Sequence, residues 1–143
     1  MHFYRTIPLI LLVALASCRE EEFDAPRASF DLYYGTTEAP SNRQLLTPTA
    51  GDDGTPVVMV YQDSALIMVN TGVGTHFSIW PGDDNNDYFV EGNQGLNFPL
   101  DKEVSYTYQE PGTYTLMMWA TSLKPDGQEW LRASTTYTVE VLE

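Results

Sequence analysis

Thr113-Tyr-Thr-Leu-Met-Met-Trp-Ala-Thr121, then Lys124-Pro-Asp-Gly127, then Trp130 to Leu142 with Thr135-Thr-Tyr-Thr-Val-Glu-Val141 inside it, is the stretch that decides the fold. Both arms are rich in β-branched and aromatic residues, which suit a pleated surface. Between them Pro and Gly supply the φ values of a tight turn, so the stretch reads as two strands joined by a hairpin. Successive strand side chains point to opposite faces. Tyr114, Leu116 and Met118 therefore share one face, and Thr115, Met117 and Trp119 share the other. Two apolar faces on one strand mean that one faces the core, while the other meets either the chain's own packing or a partner.

Further strands are legible on the N-terminal side. Phe30, Leu32 and Tyr34 alternate with Asp31 and Tyr33, as in a half-buried strand. Val57-Val-Met-Val-Tyr61 and Ala65-Leu-Ile-Met-Val-Asn70 flank a turn at Gln62-Asp63-Ser64. Thr71 to Thr75 turns again, and His76-Phe-Ser-Ile-Trp80 is a strand stopped by Pro81-Gly82. Val104 to Tyr108 is one more strand, and Tyr88-Phe-Val90 has the composition of a short edge strand. Gly35 to Thr55 is rich in turn formers and reads as an unusually long loop. No long segment has the period of an amphipathic helix. The expectation is an all-β, antiparallel sandwich of about seven strands.

A chain of 143 residues accommodates one such domain. It carries 20 acidic against 7 basic residues, a formal charge of −13. That field repels phosphate backbones and anionic lipid, which argues against nucleic acid as a partner. The single cysteine, Cys18, cannot form an internal disulfide or a zinc site by itself.

The context of Cys18 gives it another role. A cationic start at Arg5, the apolar run Ile7-Pro-Leu-Ile-Leu-Leu-Val-Ala14 and the small residues Leu15-Ala16-Ser17 have the layout of a secretory signal. The run is much shorter than the ~20 residues that span a bilayer. Leu15-Ala16-Ser17-Cys18 looks like a lipobox, where bacterial lipoproteins are acylated on cysteine and cleaved. The following Arg19-Glu20-Glu21-Glu22 resembles the acidic export tag of Bacteroidetes lipoproteins, which implies an outer-membrane position facing the cell exterior; its plainer alternative is a solvated spacer. The expected organisation is a signal peptide over 1–17, a lipidated cysteine and acidic tether over 18–28, and a sandwich over 29–143 with a long loop near 35–56.

Tyr108-Gln-Glu-Pro111-Gly112-Thr113-Tyr114-Thr115-Leu116 resembles the signature Tyr-x-x-Pro-Gly-Thr-Tyr-x-Val of the PKD (polycystic kidney disease) family. Gly82-Asp83 matches part of a second family motif, and Val69-Asn70-Thr71 fits the strand before it. The family tryptophan falls on Ile79 and the last glycine on Asp84. The resemblance covers about Val57 to Glu143. It implies an immunoglobulin-like sandwich of seven strands that acts as a spacer or binding unit and not as a catalyst. It also implies that Pro111-Gly112 turns between two paired core strands, with Tyr114 packed inward.

No arrangement of catalytic residues is apparent. The only histidine after the signal segment is His76, beside Phe77, and no Gly-x-Ser-x-Gly elbow exists. Carboxylate pairs are an expected accident among 20 acids, so no enzyme activity is expected. Asp83, Asn85 and Asp87 have the one-three-five spacing of a calcium loop. However, Tyr88 stands where glycine is needed and Gln94 where the closing Glu belongs. The choice there is between a weak Ca²⁺ site and an acidic turn that caps its own backbone, with the turn favoured. Asp52-Asp53-Gly54 is a lesser candidate. Trp119, Trp130 and Tyr88 are the candidate contact aromatics. Envelope proteins and glycans both stay open as partners, besides the membrane through the lipid anchor. The expected function is an outer-membrane lipoprotein serving as a non-enzymatic binding or scaffold module; the alternatives are a glycan-binding accessory of polysaccharide uptake and a structural or adhesive envelope subunit.

Overall fold

The computed structural model describes residues 23–35 and 42–143. The signal peptide, the lipobox with Cys18, and Arg19-Glu20-Glu21-Glu22 lie outside the described residues, as does part of the long loop. The described chain is all-β: β1 Phe30–Gly35, β2 Gln44–Leu45, β3 Thr49–Ala50, β4 Pro56–Tyr61, β5 Ala65–Asn70, β6 His76–Trp80, β7 Leu96–Asn97, β8 Glu103–Thr107, β9 Gly112–Leu123 and β10 Trp130–Leu142. They form two sheets, one in the order β2-β1-β5-β8 and one in the order β3-β4-β10-β9-β6-β7.

The hairpin forms as the sequence predicts. Gly127 sits at φ 70° and its N–H donates to Lys124 O at 2.8 Å. This turn fixes the register Trp130↔Leu123, Arg132↔Thr121 and Thr135↔Met118. A register slip by one residue would turn every side chain to the wrong face. In the observed register Leu116, Met118 and Ala120 of β9 are fully buried and join Val139 and Val141 of β10, Ile79 and Phe77 of β6, and Val58 and Val60 of β4. The opposing sheet contributes Phe30, Leu32, Leu66 and Met68 to the same cluster. In β5, Leu66, Ile67 and Met68 are all buried, so both of its faces are covered.

Several expectations need correction. The larger sheet is mixed and not antiparallel, because β4 runs parallel to β10, with Val58 opposite Val139 and Val60 opposite Val141. Hydrophobic alternation is the same for either direction. β4 and β10 lie far apart in the chain and no hairpin joins them, so no turn forces them antiparallel. The long loop is not structureless along the way: β2 pairs with β1 and β3 with β4. Tyr88-Phe-Val90 is a pair of turns and not an edge strand, with Val90 N–H on Asp87 O at 3.3 Å and Asn93 N–H on Val90 O at 3.2 Å. The short edge strand is Leu96–Asn97, opposite Ser78 and Ile79. The tether is docked from Arg27 onward: Arg27 and Val73 exchange backbone hydrogen bonds at 2.8 and 2.9 Å.

Pro111-Gly112 does not join paired strands. It lies between β8 in the smaller sheet and β9 in the larger one, so it carries the chain across the sandwich. Tyr114 does pack against the core, as expected, but the more deeply buried tyrosine is Tyr108, whose hydroxyl donates to Pro81 O at 2.8 Å. Tyr114 is half-buried. It stacks on Tyr108 at 4.6 Å and donates its hydroxyl to Glu110 O at 2.8 Å. Buried Asn70 is a second polar brace between loops: its Nδ2 donates to Phe98 O at 2.5 Å, and its Oδ1 accepts the Gly72 N–H at 2.9 Å.

Candidate functional site

Alternation along β6, β9 and β10 places one set of side chains on the outer face of the larger sheet. Register aligns them in rows: His76, Thr121 and Arg132; Ser78, Trp119 and Ser134; Trp80, Met117 and Thr136. The second apolar face of β9 is therefore real, and much of it is covered from within the chain. Trp80 lies edge-on to Trp119 at 6.4 Å and to Tyr88 at 5.2 Å, while Tyr88 tilts onto Trp119 at 5.2 Å. Phe89 extends the group from Tyr88 at 5.3 Å and is 68% exposed. Aromatic pairs in such edge and offset geometry add about 0.5–1.5 kcal/mol each beyond their buried area. Gly95 is what lets Trp80 lie down: a Cβ there would come within 2.6 Å of the Trp80 ring.

The loop that carries Tyr88 holds itself together through Asp83. Its Oδ1 accepts from the Asn86 N–H at 3.0 Å and the Asn86 Nδ2 at 3.1 Å, and its Oδ2 accepts from the Tyr106 hydroxyl. Asn86 Nδ2 also reaches the Tyr106 hydroxyl at 3.2 Å. Asp87 Oδ1 caps the Phe89 N–H at 2.8 Å, and Asn93 Nδ2 reaches Asp87 O at 3.3 Å. Asn85 is exposed. Both carboxylate oxygens of Asp83 and one of Asp87 are thus engaged with donors of the loop and of Tyr106, while Asn85 takes no part in these bonds. Among the described residues no three His, Cys, Asp or Glu side chains are gathered to hold a metal ion. At the lesser candidate, Asp53 likewise caps its own turn, accepting the Thr55 N–H at 2.8 Å, which holds its carboxyl below the usual range.

This network has a pH signature. Burial, and then the hydrogen bond to Asp83, pushes the Tyr106 phenol up to about 12. Burial raises the Tyr108 phenol further. A phenol whose folded pKa exceeds its ordinary value of 10.0 stabilises the fold fully below that value, and the contribution is lost as pH rises through the folded pKa. The urea midpoint is therefore expected to fall between about pH 10 and 12, and Tyr106→Phe is expected to make that fall shallower. Identical slopes for the two proteins would disconnect Tyr106 from the effect.

The candidate contact aromatics separate into two kinds. Tyr88 and Trp119 are half-buried and pack against each other, so their first role is to hold the loop on the sheet. Trp130 is 51% exposed and projects from the start of β10. His76 meets it edge-on at 5.6 Å, and Arg132 lies over the Trp119 ring at 5.1 Å. His76, Thr121, Trp130 and Arg132 line an open hollow of about 350 Å³. The sequence reading singled out Trp130 and Trp119 but missed Arg132, and weighed His76 only as a catalytic base. The hairpin turn gives the signal for Arg132, since it fixes Arg132 opposite Thr121. Nothing local reveals His76, whose place depends on the pairing of β6 with β9. No family model matches the chain, and no curated protein matches it.

Proposed function

We propose that this chain is a non-enzymatic glycan-binding module of the immunoglobulin-like, PKD-like type, held by lipid on Cys18 at the outer membrane and facing the cell exterior. The observation that carries the binding reading is an exposed Trp130 ring flanked by the polar groups of His76, Thr121 and Arg132 on a broad sheet face. An aromatic face with hydrogen-bond donors at its rim suits a sugar ring, which has apolar C–H faces and a hydroxyl edge. The fold reading is supported by β4 running parallel to β10, by the sheet crossing between β8 and β9, and by the Tyr114 hydroxyl bonded back to Glu110 O, which is the geometry of a tyrosine corner. The anchor reading rests on Leu15-Ala16-Ser17-Cys18 and on the acidic run after it.

A second reading, a scaffold that docks another envelope protein, has its own observation. Met59, Tyr61 and Leu142 are 52%, 54% and 41% exposed, and Tyr61 and Leu142 are paired across β4 and β10.

The test uses the full chain expressed with its signal. Membrane fractions are solubilised and run through native gels cast with neutral polysaccharides. Retardation by at least one of them is expected for the wild type and is expected to vanish for Trp130→Ala. Cys18→Ala is expected to leave the membrane fraction or to accumulate as the uncleaved precursor. Equal migration of wild type and Trp130→Ala in every gel overturns the glycan reading, and Cys18→Ala that still partitions with lipid overturns the anchor.

A further inference from the structure

Among the described cations Arg132 is the one that lies over an aromatic ring. The chain has 20 acidic and 7 basic residues, so cations are few on its surface. Among the described residues the ion pairs are Arg43–Glu103 at 2.6 Å and Lys124–Glu129 at 2.5 Å. Arg132 is in neither, and nor are Arg27 and Lys102. The Arg132 guanidinium lies over the Trp119 ring at 5.1 Å, on the outer face of the sheet. A guanidinium presents parallel N–H donors in a planar fork that matches the two oxygens of a carboxylate. Arg132 is exposed, and contact with the ring restrains its side chain, which lowers the entropy lost when a ligand binds.

The surroundings define the rest of the ligand. Trp130 and Arg132 are two residues apart on one strand and share a face, with Thr121 opposite Arg132 and His76 opposite Thr121. The hollow these four line, about 350 Å³, is at the lower end of the roughly 300–1,000 Å³ of small-ligand sites. It suits one ring with a charged substituent. The formal charge of −13 adds a further restriction. A densely charged polyanion is repelled at a distance, within a screening length of about 10 Å at 0.1 M salt. A single carboxylate in contact with Arg132 feels mainly the guanidinium.

We propose that this hollow binds one carboxylate-bearing sugar ring within an otherwise neutral glycan, with Trp130 against the ring and Arg132 forked onto the carboxylate. This rests on the glycan-binding reading above and names its ligand class.

The test is isothermal titration of the lipidated protein in detergent with three tetrasaccharides: aldotetraouronic acid (xylose units bearing one glucuronate), neutral xylotetraose and fully charged tetragalacturonate. Aldotetraouronic acid is expected to bind about tenfold more tightly than xylotetraose. Arg132→Gln is expected to erase that preference, Arg132→Lys to keep part of it, and Trp130→Ala to remove binding of both. Tetragalacturonate is expected to bind more weakly than aldotetraouronic acid at low salt, with the gap narrowing as salt rises. Equal, Trp130-dependent binding of the two xylose-based probes overturns the carboxylate assignment and leaves the glycan reading standing. A preference that survives Arg132→Gln moves the charge recognition elsewhere and overturns it too. Binding of neither probe overturns the proposal, and if the polysaccharide gels also show no dependence on Trp130, the glycan reading falls with it in favour of a protein partner.

Discussion

Tyr108→Ala is expected to lower the unfolding free energy by about 3–5 kcal/mol, the range for deleting a large buried aromatic. Tyr108 is 2% exposed and belongs to the central cluster. Its ring contacts Tyr106 at 5.1 Å and Tyr114 at 4.6 Å, and its hydroxyl satisfies Pro81 O. The alanine leaves a cavity where β8 turns toward β9, together with a carbonyl that has lost its donor. Tyr108→Phe separates the two contributions and is expected to cost about 0.5–1.5 kcal/mol, the net worth of one hydrogen bond. Tyr114→Ala is the informative contrast. Tyr114 is only half-buried, so its loss is expected to cost about 1–2 kcal/mol, from one aromatic stack and one hydrogen bond. Urea unfolding of the three variants decides the matter: equal losses at Tyr108 and Tyr114 would mean that both tyrosines fill the core.

Gly82→Ala is expected to destabilise the fold by several kcal/mol and to release the aromatic cover of the sheet. Gly82 has φ 93°, a region that costs a residue with a Cβ on the order of 1–3 kcal/mol. The space is closed as well, because a Cβ there would sit 2.3 Å from Thr115 O and 2.7 Å from Thr115 C. Those are backbone atoms of β9 and cannot rotate away. Relief requires the Pro81–Asn86 turn to move, which disturbs the hydrogen bond from Gly82 N–H to Asn86 O and the Asp83 bonds to Asn86 and Tyr106. Tyr88 then loses its place against Trp80 and Trp119. The expected signs are a lower melting temperature and a red-shifted tryptophan emission in the native state. An unshifted emission with wild-type stability would show that the turn tolerates a Cβ and that the clash is relieved locally.

The link between this loop and the hollow is indirect but physical. Trp119 is shared: Tyr88 packs against it at 5.2 Å and Arg132 lies over it at 5.1 Å. The acidic loop thus acts as packing for the sheet face that presents Arg132. This gives the run Asp83-Asp84-Asn85-Asn86-Asp87 a role that needs no metal, since Asp83 and Asp87 accept from the loop's own donors.

Features that depend on neighbours in the chain are legible in the order of the amino acids. β6, β9 and β10 follow from alternation and from Pro and Gly punctuation, β5 follows from its continuous apolar run between turn residues, and the 124–127 turn alone aligns Trp130 and Arg132 with Leu123 and Thr121. The two apolar faces of β9 follow from the same period. The rest is set by long-range packing, because alternation carries neither strand direction nor sheet membership. It made β4 a parallel neighbour of β10, and it put β8 and β9 in different sheets, so that Tyr108 fills the interior while Tyr114 packs at its edge. It folded Tyr88 over the outer face of β9, where local composition had suggested an edge strand. It also brought His76 beside Trp130 across 54 residues of sequence through the β6–β9–β10 registers, a juxtaposition fixed by long-range pairing that no local pattern encodes.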